Sequence, residues 1–464
     1  MNFEYRSCQF IEGGFTLWPN NKATPCCLSI YDSFMNSSQL TVHPESFPLG
    51  AWQKWREKTR EKLRGGYVPS ECRRCPLLQK GTWGKMPNEP FFSTINIINS
   101  TICNIRCNFC YLTKEFKAPD YRFDSHLGMF RDMAAKGLIG SGSVIFWGGG
   151  EPALHPNLRE MYALFREAGC RQHFDTNATI YMDFLQEDLA AGLTMLSCSL
   201  MTPDPGTYHA VMGRDLGPQT WANAAKYAAS GGDIRAKFLM LPENEGQEES
   251  FVLACKERGI QIANVDLEIY QGVSAASLMA HRLAKFCHYA AVYGLDVLHG
   301  NGVAYAGQNF LETYREAQQK NRDRILREYK ERCRRWSLSL SVVGQASEAL
   351  ANQAFLLGLG SDLVPLVDMR CLSVKRNMGW SAKPYAFFSE HFFYFTEQRY
   401  MSLDFEAIFA ERLVLRFFAH PWSGIIKIDI NGKNSMMVNL YSPNNRLVEV
   451  DLMTQVCTYR ERSF

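Results

Sequence analysis

Between Thr101 and Tyr111 the chain reads T-I-C-N-I-R-C-N-F-C-Y, which puts Cys103, Cys107 and Cys110 at C-x3-C-x2-C spacing. Three thiolates are offered by this loop, not four. A [4Fe-4S] cluster has four irons, so three cysteines leave one iron without a protein ligand and open to a small molecule; clusters that only carry electrons usually take four. Structural zinc is the competing occupant, because cysteines at short spacing also hold zinc, most often as two C-x2-C pairs.

A second stretch bears on the choice. Ser143 to Trp147 (S-V-I-F-W) is an apolar run of strand length, and Gly148, Gly149, Gly150, Glu151 and Pro152 follow it directly. It reads as a buried strand ending in a glycine turn. Such a turn lets backbone groups approach a ligand closely, and a carboxylate beside it can hold an ammonium group. G-G-E-P alone is only a turn signal. Following the cysteine loop in this order and at this distance, the pair of motifs resembles the signature of the radical S-adenosylmethionine (SAM) enzymes.

That resemblance implies a function for each residue. Cys103, Cys107 and Cys110 would hold the cluster, with Phe109 just before the third cysteine. The open iron would chelate the amino and carboxylate groups of SAM, and the reduced cluster would cleave SAM to a 5'-deoxyadenosyl radical. Gly149, Gly150 and Glu151 match the motif that faces the SAM amino group. Asn177, in D-T-N, and Ser199, in S-L-M with His209 and Gly213 beyond, match polar positions after the third and fourth strands that reach SAM. Met201 stands where an Asp is common, so a role for that carboxylate is absent. Loop capping is the ordinary alternative for Asn177 and Ser199.

The 464 residues suffice for two or three domains, and 46% apolar with 21% charged residues is ordinary for a globular chain. A formal charge of +3 argues against a nucleic-acid groove as the dominant feature. No apolar run approaches the roughly 18 residues of a membrane span, and the first residues lack a secretory pattern. A cytoplasmic location without a membrane partner is expected. Fifteen cysteines clustered by motif in so long a chain favour metal ligation over disulfides.

Residues 1–85 are rich in Cys and Trp: Cys8, then Cys26 and Cys27 after Pro25, a charged helical stretch from Trp52 to Arg64, and Cys72-Arg73-Arg74-Cys75-Pro76. The residues alone are compatible with a zinc ribbon. The order resembles half of the SPASM domain, the auxiliary-cluster module of many radical SAM enzymes, but here it precedes the core and lacks the remaining cysteines. It implies one auxiliary [4Fe-4S] cluster on Cys8, Cys26, Cys72 and Cys75, with Cys27 as a substitute for Cys26.

From Phe91 the pattern alternates strand and helix as far as Asp296 to Leu298, which means βα units and a parallel sheet. The fold class expected is α/β: residues 90–305 resemble the partial (β/α)6 barrel of the radical SAM family, whose ligands sit at the C-terminal strand ends. Residues 306–384 are expected to connect, with nine Lys/Arg and five Asp/Glu from Ala306 to Trp336 reading as a long solvated helix. Residues 385–464 read as a C-terminal β domain, with Asn431-Gly432 between apolar runs as a hairpin signal. Its H-P-W-S-G run from His420 offers a Trp that, if exposed, can stack on a sugar.

The function implied is hydrogen abstraction from a saccharide or other specialised metabolite, ending in epimerisation or oxidation, with flavodoxin or ferredoxin as electron donor. A SPASM-type maturase acting on a ribosomal peptide precursor is the alternative substrate reading. A non-catalytic Fe-S or zinc protein is the alternative of another class; it leaves the glycine turn unexplained. A redox-neutral outcome needs a hydrogen donor, and Cys371 and, less favoured, Cys198 are the unassigned thiols placed for it, unless each is simply a small buried side chain.

Overall fold

In the computed structural model, strands arise where apolar residues run together or alternate, and helices where they recur at three- and four-residue spacing. The structure describes residues 3–26, 40–68, 72, 78–83, 91–110, 125–267, 276–300, positions within 310–320, 334–361, 374–384, 392–396, 398–409, 413–443 and 446–460. Two units divide the chain: residues 1–200 with 208–232, and residues 201–207 with 233–464.

The first unit begins with β1 (Phe3–Ser7), α1 (Gln9–Gly13), β2 (Gly14–Trp18), β3 (Lys22–Thr24), β4 (Leu40–Thr41), α2 (Leu49–Arg64) and β5 (Gln79–Trp83). It continues with β6 (Thr94–Ile97), α3 (Leu127–Ala135), β7 (Val144–Trp147), α4 (Leu158–Glu167), β8 (Arg171–Thr176), α5 (Gln186–Ala190) and β9 (Thr194–Ser199). The C-terminal part of α6 (Pro205–Met212) and the whole of α7 (Gly217–Ala228) complete it. Its sheet runs in the order β9-β8-β7-β6-β2-β3-β4. Strands β6 to β9 are parallel, as the alternation of elements requires.

The boundary expected near residues 85–90 falls inside this unit. Strand β2 lies parallel beside β6, with Gly14 opposite Thr94 and Leu17 opposite Ile97, so the Cys-rich segment extends the core sheet. The reason is legible in β2 itself: all five of its residues are buried, and a strand covered on both faces belongs inside a layered sheet. Phe15 packs edge-on against Phe47, Trp52 and Phe92, which ties α2 to the segment that leads into β6.

The second unit holds β10 (Asp233–Met240), α8 (Glu248–Glu257), β11 (Ile262–Leu267), α9 (Ala276–Tyr293) and β12 (Asp296–His299), whose strands are again parallel. Parallel βα repeats therefore run through both units, as expected for the barrel type. Among the described residues eleven more strands follow: β13 (Arg334–Gln345), β14 (Ala354–Ser361), β15 (Val374–Asn377), β16 (Ser381–Pro384), β17 (Phe392–Thr396), β18 (Ser402–Phe409), β19 (Leu413–Ala419), β20 (Gly424–Ile430), β21 (Asn434–Asn439), β22 (Arg446–Asp451) and β23 (Val456–Arg460). They form two antiparallel sheets, β15-β18-β13-β20-β21 and β16-β17-β14-β19-β22-β23, around a shared apolar core that includes Leu340, Leu356, Leu415 and Ile428.

The C-terminal β domain is thus a sandwich, but it starts earlier than expected. Strands β13 and β14, expected within a helical connection over 306–384, are interior strands of the two sheets, and the helix expected to reach Trp336 has given way to strand at Arg334. Alternation decides this. Leu338, Leu340 and Val342 are buried while Ser337, Ser339 and Ser341 face away, a period of two that no helix can satisfy. Asn431 and Gly432, at φ of 54° and 64°, make the tight turn expected between β20 and β21.

One buried charge joins the sandwich to β12. The Arg416 guanidinium on β19 donates to Glu449 on β22 at 2.9 Å and to Asp296 at 2.9 Å. Removing one member of such a buried pair costs about 3–5 kcal/mol, because the survivor keeps an unpaired charge. The exposed Arg159–Asp183 pair contributes far less, about 0–1 kcal/mol. Among the described residues no helix is long and apolar enough to cross a membrane.

Candidate functional site

The cysteine loop and the glycine turn meet because β6 and β7 are neighbours, and the chain leaves both at the same end. Their pairing continues past the strands: Gly148 N–H donates to the Ile97 carbonyl at 3.1 Å, Gly150 N–H to Ser100 at 2.7 Å and Glu151 N–H to Ile102 at 2.8 Å. The glycines are what permit it. A Cβ on Gly150 would stand 2.2 Å from the Ile102 carbonyl oxygen, and one on Gly149, whose φ is +85°, would stand 2.7 Å from that of Ser100. Apart from its chain neighbours, no described atom lies within 4 Å of a Cβ on Gly148, so this glycine faces open space.

Glu151 is almost fully buried, with 2% exposure. Its Oε1 accepts from the Thr176 hydroxyl at 2.6 Å and the Ala153 N–H at 3.2 Å, and its Oε2 from the Asn177 N–H at 2.8 Å. Burial raises its pKa, and the three donors oppose that rise. The carboxylate therefore fastens the glycine turn to the end of β8. Each carboxylate oxygen can accept two bonds, and the one contact shown at Oε2 leaves acceptor capacity for a cation.

The cysteine loop is held from several sides. Arg106 N–H donates to the Met212 carbonyl at 2.9 Å and Asn108 N–H to that of Val211 at 3.0 Å, so the end of α6 carries the loop. Gly213 follows with φ of +69°, and a Cβ there would meet the Arg106 carbonyl at 2.5 Å. The Arg106 guanidinium reaches back to the Cys103 carbonyl at 2.7 Å. Cys107 lies against the Met212 sulfur at 3.7 Å, and Asn177 Nδ2 stands 3.8 Å from the Cys103 sulfur.

These thiols sense one another. Burial, then the charges of Cys110 and Cys103, push Cys107 up to about 12. Cys103 is raised chiefly by burial, with Glu151 and Cys110 adding to the shift. Among the described residues, no three His, Cys, Asp or Glu side chains converge as ligands of a single metal ion. The loop presents partly exposed thiols whose joint ionisation calls for positive charge, a donor set that fits the iron of a cluster.

The remaining expected residues lie as follows. Phe109 and Ser199 are partly exposed, and Asn177 is buried beside the cysteine loop. Cys198 is fully buried in β9, where burial raises its thiol pKa strongly; that is the setting of a packed small side chain, not of a donor open to substrate. Cys371 lies outside the described residues, as do Cys27 and Cys75. Cys8 caps α1, accepting the Ile11 N–H at 3.5 Å, and packs with Ile11 and Leu63. Cys26 and Cys72 are partly exposed.

Asn104, Thr179 and Met212 lie against these residues without being singled out from the sequence, and Thr176 is read there only as part of D-T-N. Polar residues closing a buried strand, and an Asn between two cysteines, are the signals that could have found them.

Removing the Glu151 carboxylate breaks the tie to β8 and the acceptor at Oε2 together. Glu151→Ala is expected to weaken SAM binding roughly tenfold, the lower range for a charge-assisted bond, while iron content stays at the wild-type level. Calorimetric titration of the reconstituted protein with SAM checks this, and an unchanged dissociation constant contradicts it.

Comparison with known proteins places the cysteine loop, the glycine turn, Asn177 and Ser199 in one segment. Residues 97–253 match the model of the Radical SAM superfamily. Over 205 residues the chain is 28% identical to the Fe-coproporphyrin III synthase of Methanosarcina barkeri, covering 39% of this chain and 49% of that protein. Over 191 residues it is 27% identical to the GTP 3',8-cyclase of Edwardsiella ictaluri, covering 38% and 55%. The chain spans about half the length of these curated relatives. The crystal structure of Streptococcus suis SuiB bound to S-adenosylmethionine matches 58% of this chain and 56% of its own at 16% identity, with a TM-score of 0.39. The glycine turn, the three thiols and the strand ends that hold them thus lie in the segment that matches the radical SAM superfamily, a family whose cofactors are a [4Fe-4S] cluster and S-adenosylmethionine.

Proposed function

We propose that the enzyme abstracts a hydrogen atom from a saccharide or other specialised metabolite, giving an epimerised or oxidised product. The observation that carries the chemistry is the double tie of Gly150 to Ser100 and Glu151 to Ile102, which sets the glycine turn beside the three-thiol loop. When bound, the reduced cluster supplies the electron that cleaves SAM to the abstracting radical. In this reading Cys103, Cys107 and Cys110 hold the cluster, Glu151 orients the SAM amino group through Oε2, and open Gly148 lets the ligand approach the backbone.

The substrate class rests on the sandwich. Leu350, Met378, Tyr400 and Trp422 are all exposed in its connections, Tyr400 at 74% and Trp422 at 51%. Their loops belong to one end: Leu350 N–H donates to the Pro421 carbonyl at 2.8 Å and Arg399 to Asn352 at 3.4 Å. Exposed aromatic rings beside amide and guanidinium groups suit a sugar face. An auxiliary cluster on Cys8, Cys26, Cys72 and Cys75, a flavodoxin or ferredoxin donor, and a cytoplasmic location complete the proposal.

The test is anaerobic turnover in deuterated water with saccharides and, separately, with a ribosomal peptide precursor. The proposal expects 5'-deoxyadenosine formation to rise with a saccharide, with one solvent deuterium in an epimerised product or none in an oxidised one. Stimulation by the peptide alone would replace the saccharide reading with a peptide maturase. In the epimerising case, loss of turnover in Cys371→Ala assigns the hydrogen donor.

A further inference from the structure

Asn177 is a polar residue outside the cysteine loop whose amide reaches one of its thiols. The residue is buried, at 5% exposure. Oδ1 accepts the Thr179 backbone N–H at 2.9 Å and the Thr179 hydroxyl at 2.6 Å. Nδ2 donates to Asn104 Oδ1 at 2.9 Å and lies 3.8 Å from the Cys103 sulfur.

The orientation of this amide is fixed by chemistry. A backbone N–H can only donate, so the atom facing Thr179 N–H must be the oxygen and the atom facing Cys103 must be the NH2 group. The surrounding loop prevents rearrangement. Asn104 Nδ2 donates to the Thr179 hydroxyl at 2.7 Å, closing a ring of three side chains. Ala178 sits in the left-handed region at φ of 55°, a conformation costly for a non-glycine residue and kept only where its surroundings over-determine it. The carbonyls of Ala178 and Thr179 are held in turn by Asn223 at 2.9 Å and Gln219 at 2.6 Å from α7.

The thiols are therefore not equivalent. Each has a backbone bond, Cys103 from Ile105 and Cys107 from its own N–H, but Cys103 also receives the Asn177 side-chain amide, whereas Cys107 faces the Met212 thioether. Hydrogen bonds to cluster sulfurs favour the more negative, reduced state and raise the reduction potential. We infer that Asn177 is a positioned donor to the Cys103 thiolate that raises the potential of the SAM-site cluster, and not a direct SAM contact. This rests on the radical SAM assignment.

The experiment is an EPR-monitored redox titration, without SAM, of the reconstituted full chain and of Asn177→Asp and Asn177→Ala. The cluster in question is the one lost in the Cys103, Cys107 and Cys110 triple variant. Asn177→Asp keeps the acceptor that Thr179 requires but turns an oxygen toward Cys103; Asn177→Ala removes both. The reduction equilibrium should move about tenfold against the reduced state in Ala, about 59 mV more negative for a one-electron couple, and further in Asp, at wild-type iron content. Unmoved potentials with full iron, or a loss of SAM affinity with no shift in potential, overturn the inference. If both variants lose the cluster, wild-type protein carrying 15N in its asparagine amides decides: a 15N hyperfine coupling on the reduced cluster supports the bond, and its absence overturns it. Wild-type protein that takes up no iron defeats the radical SAM assignment itself, and the inference with it.

Discussion

Replacing Cys103, Cys107 and Cys110 together by alanine is expected to remove about four irons per chain, one [4Fe-4S] cluster, and to reduce 5'-deoxyadenosine formation under dithionite to background. The three side chains are only partly buried, and the loop's main-chain bonds to Val211 and Met212 do not involve them, so the unit should fold without its cluster. Iron analysis and product chromatography read the two losses separately. Undiminished 5'-deoxyadenosine in the triple variant contradicts the assignment of the loop.

Gly150→Ala tests the meeting of the two motifs without touching a ligand. A Cβ there would stand 2.2 Å from the Ile102 carbonyl oxygen and 2.8 Å from the Ile102 nitrogen, both main-chain atoms that cannot swing aside as a side chain would. Overpacking typically costs 1–3 kcal/mol, and a clash with backbone falls at about 3 kcal/mol. The turn must move off the cysteine loop, breaking the bonds to Ser100 and Ile102. The expected result is SAM binding weakened about a hundredfold or more, with the iron retained. Wild-type affinity in Gly150→Ala would mean that the turn and the loop act independently.

The site was legible in the sequence where a backbone constraint leaves few residue choices. Gly149 and Gly150 are named as a turn that brings backbone to a ligand and, like Gly213, from the family resemblance; in the structure each also lies where a Cβ would meet the main chain of the cysteine loop. Glu151 is named from the sequence, but its bonds to Thr176 and Asn177 are not legible there, since they depend on which strand follows β7 in the sheet. Asn177 was expected to face SAM; its contact with Cys103 follows from the left-handed turn at Ala178, which no pattern of residue types announces.

The fold divides in the same way. Asn431-Gly432 marks its hairpin because both positions need a left-handed backbone, and the βα alternation marks the parallel sheets. The serine and leucine alternation from Ser337 to Val342 carried the signal for β13, but the charged run before it suggested that a helix continued into it. For β2 the difficulty was distance along the chain: its partner β6 lies some eighty residues away, with no local signal in G-F-T-L-W of which strand would flank it.

The most direct test of the account is the low-temperature EPR spectrum of the reduced, reconstituted protein recorded with and without SAM. With Cys103, Cys107 and Cys110 as the protein ligands of an open-iron cluster beside the glycine turn, addition of SAM must change the signal of that cluster. A spectrum identical in both samples, at a SAM concentration well above the measured dissociation constant, would contradict the account.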